Sequence, residues 1–182
     1  MEGRRVFVGL PASRELAEAA MEFRQKHREL KVRWVKPESL HLTMVPPWPC
    51  VEVDAVCRAL QGAAASQAPF EVTFERVSFG PDKRRPRLIW ATGKAPAAMS
   101  GFSRQLHAVT GVPDEPRKSF LLHLTIARFN SHDFRAMGHR KLSESVTWAG
   151  TLDAVCLYES ILKSSGAEYR ELCRLMLTGK VF

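Results

Sequence analysis

Ser39-Leu40-His41-Leu42-Thr43-Met44 and Leu121-Leu122-His123-Leu124-Thr125-Ile126 carry the same His-Leu-Thr tripeptide between apolar neighbours. With six His in 182 residues, chance supplies only about 0.26 His-x-Thr tripeptides. One copy would be weak. Two copies with the same middle residue and the same apolar flanks form one constellation. Read as strands, both put alternate side chains on opposite faces. Leu40, Leu42 and Met44 then make an apolar face with His41 and Thr43 opposite; Leu122, Leu124 and Ile126 repeat it with His123 and Thr125 opposite. Helices on the apolar side would leave two His-Thr pairs on the other. Should both strands line one cleft, two imidazoles and two hydroxyls would face a shared ligand, a set suited to acid–base chemistry on an anion.

Working outward from the first copy, residues 4–10 predict a mostly apolar strand. Ser13 is a candidate N-cap for a helix reaching about residue 30. Leu16, Ala20, Phe23, His27 and Leu30 fall on one stripe of that helix, with His27 expected to be structural. Residues 32–35 suit a short strand, and Pro37-Glu38-Ser39 turns the chain into the first motif. Pro46, Pro47 and Pro49 are expected to stop the motif strand. A helix over 52–66 follows, then an alternating strand over 70–79. Lys83, Arg84, Arg85 and Arg87 crowd a loop before a strand at 88–91 and suit a solvated hairpin tip.

A helix over 96–110, ended by Gly111, and a Pro-containing loop over 112–118 lead into the second motif. Helix, turn and His-Leu-Thr strand thus recur in the same order, which predicts a divergent internal duplication. Residues 129–142 are polar and read as a mobile loop whose His132 and His139 are solvated. Strands are expected over 146–149, 152–158 and 168–177, the last two forming a hairpin closed by Lys163-Ser164-Ser165-Gly166.

The length suits one domain over residues 1–182, or two small lobes sharing a core. A composition of 45% hydrophobic and 25% charged residues is that of a soluble globular protein. The net charge of +8 favours anionic partners, nucleic acid among them. Cys50, Cys57, Cys156 and Cys173 lack zinc-ligand spacing and are expected as buried free thiols in a reducing cytoplasm. The N-terminal residues show no signal-peptide pattern, and no apolar run approaches the ~18 residues that span a bilayer.

Histidine titrates near 6.5 as an ordinary side chain, so one of two adjacent imidazoles can be neutral while the other is charged. The neutral ring can take a proton from water, and the charged ring can give one to a leaving oxygen. Thr43 and Thr125 can donate hydrogen bonds to phosphoryl oxygens. Arg128 lies five past His123, on the opposite strand parity, and reaches the same anion only if the strand ends or bulges there. A zinc site needs three or four ligands and only two His are offered, so no metal and no cofactor are expected. No G-x-S-x-G elbow and no Gly-rich phosphate loop is present.

These residues resemble the 2H phosphoesterases, and within them the RNA 2′,3′-cyclic phosphodiesterases, also called 2′-5′ RNA ligases. Nearly the whole chain is covered. The anchors are Arg5-Val6-Phe7-Val8, Lys36-Pro37-Glu38-Ser39-Leu40-His41-Leu42-Thr43 and Pro86-Arg87-Leu88-Ile89-Trp90. They continue through His123-Leu124-Thr125-Ile126-Ala127-Arg128 and Leu157-Tyr158-Glu159-Ser160, followed by Gly166 and Tyr169. Val45-Pro46-Pro47-Trp48 departs from the usual Phe-Leu-Gly run, which bears on the cleft rim.

The resemblance implies a bilobal, pseudo-twofold α+β fold: two antiparallel sheets enclosing a central cleft, helices on the outer faces, no metal. It further implies that a 2′,3′-cyclic phosphate at an RNA end sits between His41 and His123. His123 would activate water and His41 would protonate the departing 3′ oxygen, leaving a 2′-phosphomonoester. Thr43, Thr125 and Arg128 would hold the phosphoryl oxygens, and 2′-5′ joining would be the reverse reaction. The expected protein is a cytoplasmic monomer with no membrane partner. Two alternatives stand beside this one: a small cyclic nucleotide or ADP-ribose 1″,2″-cyclic phosphate as substrate, or a non-catalytic RNA-binding module.

Overall fold

The computed structural model describes residues 3–82, 84–114, 120–138, 141–164 and 166–180. The chain runs β1 (Arg4–Pro11), α1 (Arg14–Lys26), β2 (Arg33–Trp34), a 3-10 turn at Pro37–Ser39, β3 (His41–Cys50), α2 (Val53–Ser66) and β4 (Phe70–Gly80). It continues through β5 (Leu88–Gly93), α3 (Ala97–Thr110), β6 (Leu122–Arg128), α4 (Ser131–Ala136), β7 (Ser143–Leu152), β8 (Ala154–Lys163) and β9 (Gly166–Met176).

Two antiparallel sheets result, ordered β3-β1-β8-β9 and β2-β6-β5-β4-β7. Aligned on the two motif strands, the first order matches β6-β5-β4-β7 of the second, with β2 added outside β6. In each half a helix joins two neighbouring strands, α1 between β1 and β3, and α3 between β5 and β6. The duplication expected from the sequence order is therefore present in the topology as a pseudo-twofold α+β fold.

The helices cover the sheets with the stripes that their periodicity predicts. Leu16, Ala20 and Phe23 of α1, Leu60, Ala63 and Ala64 of α2, and Met99, Phe102 and Leu106 of α3 are all buried. Each large side chain among them contributes about 1.5–3 kcal/mol by leaving water. α1 packs on β7, α2 on β8 and β9, and α3 on β3 and α2. Val6, Phe7, Val8 and Leu10 of β1 are buried on both faces. One face meets the main core; Phe7, on the other, joins Cys156, Tyr158 and Tyr169 in a smaller cluster.

Several local expectations change. α1 ends at Lys26 rather than near residue 30, because the chain turns at His27, which sets its Nε2 2.7 Å from the Glu144 carboxylate of β7. The prolines do not stop β3, which runs through to Cys50. It is an edge strand that pairs with β1, and a proline is tolerated where its missing N–H faces away from the ladder. Residues 129–142 are not a bare loop: α4 starts at a capping box in which Asn130 and Asp133 cap each other's backbone N–H.

Cys57 and Cys173 are not free thiols. They form a disulfide between α2 and β9, with Cα atoms 6.4 Å apart, inside the ordinary range. Cys50 and Cys156 are free and buried, as expected. The β8–β9 hairpin forms as expected, although Ser165 of its turn lies outside the described residues, as do Lys83, Lys118 and His139. Among the described residues no helix is long and apolar enough to cross a membrane.

Candidate active site

Both motif strands carry a β-bulge at the same place. On β1 a single step from Val8 to Gly9 is matched on β3 by two steps, from Val45 to Thr43. On β5 a single step from Ile89 to Trp90 is matched on β6 by two, from Ala127 to Thr125. Each bulge inserts one residue three or four positions past the motif histidine and reverses the parity of the residues beyond it. Burial agrees: Met44 and Val45 are both buried, as are Ile126 and Ala127, whereas strict alternation would expose one of each.

The second bulge meets the condition that the sequence set for Arg128. Arg128 pairs with Leu88, which lies two positions from Trp90 and so on the same face; Trp90 in turn pairs with Thr125, and Thr92 with His123. Directly paired residues share a face. Arg128 therefore stands with His123 and Thr125, its side chain exposed. The equivalent position after the first bulge is Pro46. His41 and Thr43 occupy the matching face of β3, both half-buried.

The two strands meet where the sheets approach, Cα atoms of β3 and β6 coming within 8 Å. Each imidazole is braced alike. His41 Nδ1 lies 2.7 Å from the Ser39 carbonyl, and His123 Nδ1 lies 3.0 Å from the Leu121 carbonyl. A carbonyl only accepts, so Nδ1 carries a hydrogen in both rings.

Their surroundings differ. His41 sits in an aromatic well, its ring centroid 4.8 Å from Phe7, 5.6 Å from Tyr158 and 5.1 Å edge-on from Tyr169. Burial there lowers its pKa to about 4; the Ser39 carbonyl opposes the shift, and the positive charges of Arg128 and His123 add to it. Burial, with Cys156 adding to it, pushes the Tyr158 phenol well above its ordinary value, so it stays neutral. Trp90 lies edge-on to His123, with ring centroids 5.4 Å apart.

Both rings rest on supports that the motif alone does not reveal. A Cβ at Gly9 would stand 3.0 Å from the Leu42 carbonyl and 3.2 Å from His41 Cδ2, so the imidazole packs where a side chain would be. Trp90 lies over Gly80, where a Cβ would overlap the indole, and donates from Nε1 to the Ser78 hydroxyl at 3.2 Å. Phe7, Tyr158, Tyr169 and Trp90 were visible as aromatics on strands, yet only the pairing of β1 with β8 and β8 with β9 brings three of them to one histidine.

No group of three or more His, Cys, Asp and Glu that could hold a metal occurs among the described residues. His132 is exposed at the start of α4.

Residues 12–162 match the model of the 2′-5′ RNA ligase superfamily. The chain is 26% identical over 185 residues to the RNA 2′,3′-cyclic phosphodiesterase of Aquifex aeolicus (strain VF5), covering 96% of this chain and 98% of that protein. Its fold superposes on TT0787 of Thermus thermophilus with a TM-score of 0.80, at 24% identity, covering 97% and 100% of the two chains. The apo form of E. coli LigT gives a TM-score of 0.68 at 22% identity, with 98% and 99% covered. At those identities the two structures speak for the fold.

Proposed function

Because this chain belongs to the 2′-5′ RNA ligase superfamily, we propose that it hydrolyses a 2′,3′-cyclic phosphate at an RNA end to a 2′-phosphomonoester. Its Aquifex relative is named for that activity. The observation that carries the reading is the doubled brace: two imidazoles, each with Nδ1–H given to the carbonyl two residues upstream, on strands that meet. Each ring then offers Nε2 for proton transfer, one from each side of a bound phosphate.

In the forward direction His123 takes a proton from water, and the oxygen attacks phosphorus opposite the 3′ oxygen. The P–O3′ bond breaks, the 3′ oxygen takes the proton held by His41, and the 2′-phosphate remains. Thr43, Thr125 and Arg128 hold the non-bridging oxygens, where negative charge builds. Two transfers of this kind typically contribute about 10²–10⁴ each in rate. The same steps, with a 5′-hydroxyl in place of water as the nucleophile, give a 2′-5′ linkage.

With a pKa of about 4, His41 is neutral in the resting protein at neutral pH, its one ring proton on Nδ1 and none on Nε2. An arriving phosphate offsets the charges of Arg128 and His123 and accepts a hydrogen bond from the protonated ring, both of which favour the charged form. His41 therefore loads its proton together with the substrate.

The test is product analysis after incubation with 2′,3′-cyclic nucleotides, short RNAs ending in a cyclic phosphate, and ADP-ribose 1″,2″-cyclic phosphate. A 2′-phosphate from RNA ends is expected. A 3′-phosphate overturns the leaving-group assignment, and exclusive use of the small cyclic substrates overturns RNA. Cyclic-ended RNA that binds but is never converted leaves a binding module.

A further inference from the structure

β2 contributes two residues, Arg33 and Trp34, which pair with Arg128 and Ala127 of β6. Trp34 turns into the core, its ring 6.4 Å from Phe23 of α1. Arg33 therefore takes the other face, the one that Arg128 shares with Thr125 and His123. Two guanidinium side chains, those of Arg33 and Arg128, thus spring from directly opposite positions on one face of the sheet.

The Arg33 guanidinium reaches the other sheet. It lies against Gly166 at the start of β9, where a Cβ would overlap it and where φ is 119°. Arg33 thus crosses the end of the cleft, from β2 of one sheet to the β8–β9 hairpin of the other. β9 also carries Tyr169, whose ring centroid lies 5.1 Å from that of His41. On the other sheet Arg33 is paired directly with Arg128, five residues along β6 from His123 and on the face that carries both. Lys36, just past β2, brings a second positive charge to this hairpin, where it acts on Glu168, itself bound by Lys163 at 2.6 Å.

We infer that Arg33 holds the phosphodiester immediately 5′ of the reacting cyclic phosphate, so that the site is built for the end of a polymer rather than for a free mononucleotide. The inference rests on the function proposed above. A guanidinium presents a planar fork of donors that matches two phosphate oxygens. Gly166 is what makes room for it.

Binding of two product-type ligands tests this without turnover: a nucleoside 2′-phosphate, and a dinucleotide ending in the same 2′-phosphate. The protein should bind the dinucleotide about tenfold more tightly. Arg33→Gln should bring that ratio to within about twofold of one and lower the salt slope for the dinucleotide by about one. Gly166→Ala, which keeps the charge but displaces the guanidinium, should also collapse the ratio. Melting curves check that both variants fold. A wild-type ratio near one, or a ratio that Arg33→Gln leaves intact, overturns the inference. Hydrolysis of cyclic-ended RNA, measured in parallel, separates the two claims: turnover without the preference sinks only the Arg33 subsite, and preference without turnover sinks only the proposed chemistry.

Discussion

The two His-Leu-Thr strands share a tripeptide, a carbonyl brace and a bulge, but their surroundings are unlike. His41 is enclosed by Phe7, Tyr158 and Tyr169 on an edge strand. His123 lies on an inner strand, beside the edge of Trp90. The position after the bulge is Pro46 in one copy and Arg128 in the other. A repeated backbone can therefore hold two chemically different imidazoles, the difference coming from residues outside the repeat. Duplication supplies the geometry and the neighbours supply the polarity.

The harshest way to break the comparison is to remove either ring. His41→Ala and His123→Ala should each cost more than 10²-fold in cyclic phosphate hydrolysis while the melting temperature stays close to wild type. Near-normal turnover in either variant would mean that the two copies are not partners in one reaction.

Arg128→Gln and Pro46→Ala probe the asymmetric position. Loss of Arg128 should raise KM about tenfold and, by removing a positive charge, move the His41 pKa upward from about 4. Pro46→Ala should leave kcat/KM within about twofold. Imidazole titration followed by NMR, beside steady-state kinetics, checks both, and equal effects would erase the distinction between the copies.

Gly9→Ala sharpens the comparison at the aromatic well. The new methyl would press on the Leu42 carbonyl and on His41 Cδ2, so kcat should fall by about tenfold with a smaller change in KM. Ser78→Ala, which removes the acceptor for the Trp90 indole, should have a milder effect through His123.

A further expected effect falls on stability rather than on turnover. His41 in the folded chain holds fewer protons than it does unfolded between its ordinary pKa near 6.5 and about 4. Folding stability from this group is thus complete above pH 6.5 and declines as pH falls towards 4. Denaturant titrations at pH 7 and pH 4.5 should show His41→Gln losing about 2 kcal/mol less than wild type across that interval. An identical decline in both proteins would place the acid sensitivity elsewhere.

Much of this arrangement was legible in the chain. The alternation of Leu42 and Met44 against His41 and Thr43 follows from strand periodicity alone. The helix stripes of Leu16, Ala20 and Phe23, and of Met99, Phe102 and Leu106, emerged as their spacing requires. Arg128 could be read only conditionally, because a bulge is set by pairing with β5 and leaves no mark beyond the adjacent apolar residues Ile126 and Ala127. The well around His41 was hidden because Phe7, Tyr158 and Tyr169 come together only through pairing across long sequence separations. Cys57 and Cys173, 116 positions apart, were read as free thiols for the same reason. α4 was missed because six residues are too few for periodicity, although Asn130 and Asp133 held the capping signal.

The prolines of β3 carry one more consequence. A sheet that ends in an uncovered strand invites another chain to add itself there and grow a fibril. Pro46, Pro47 and Pro49 remove three N–H donors from the strand that carries His41. Adjacent residues aim their N–H groups at opposite edges, so one of the pair Pro46 and Pro47 withholds its donor from that rim. The rim beside His41 is thereby hindered by its own composition from templating aggregation.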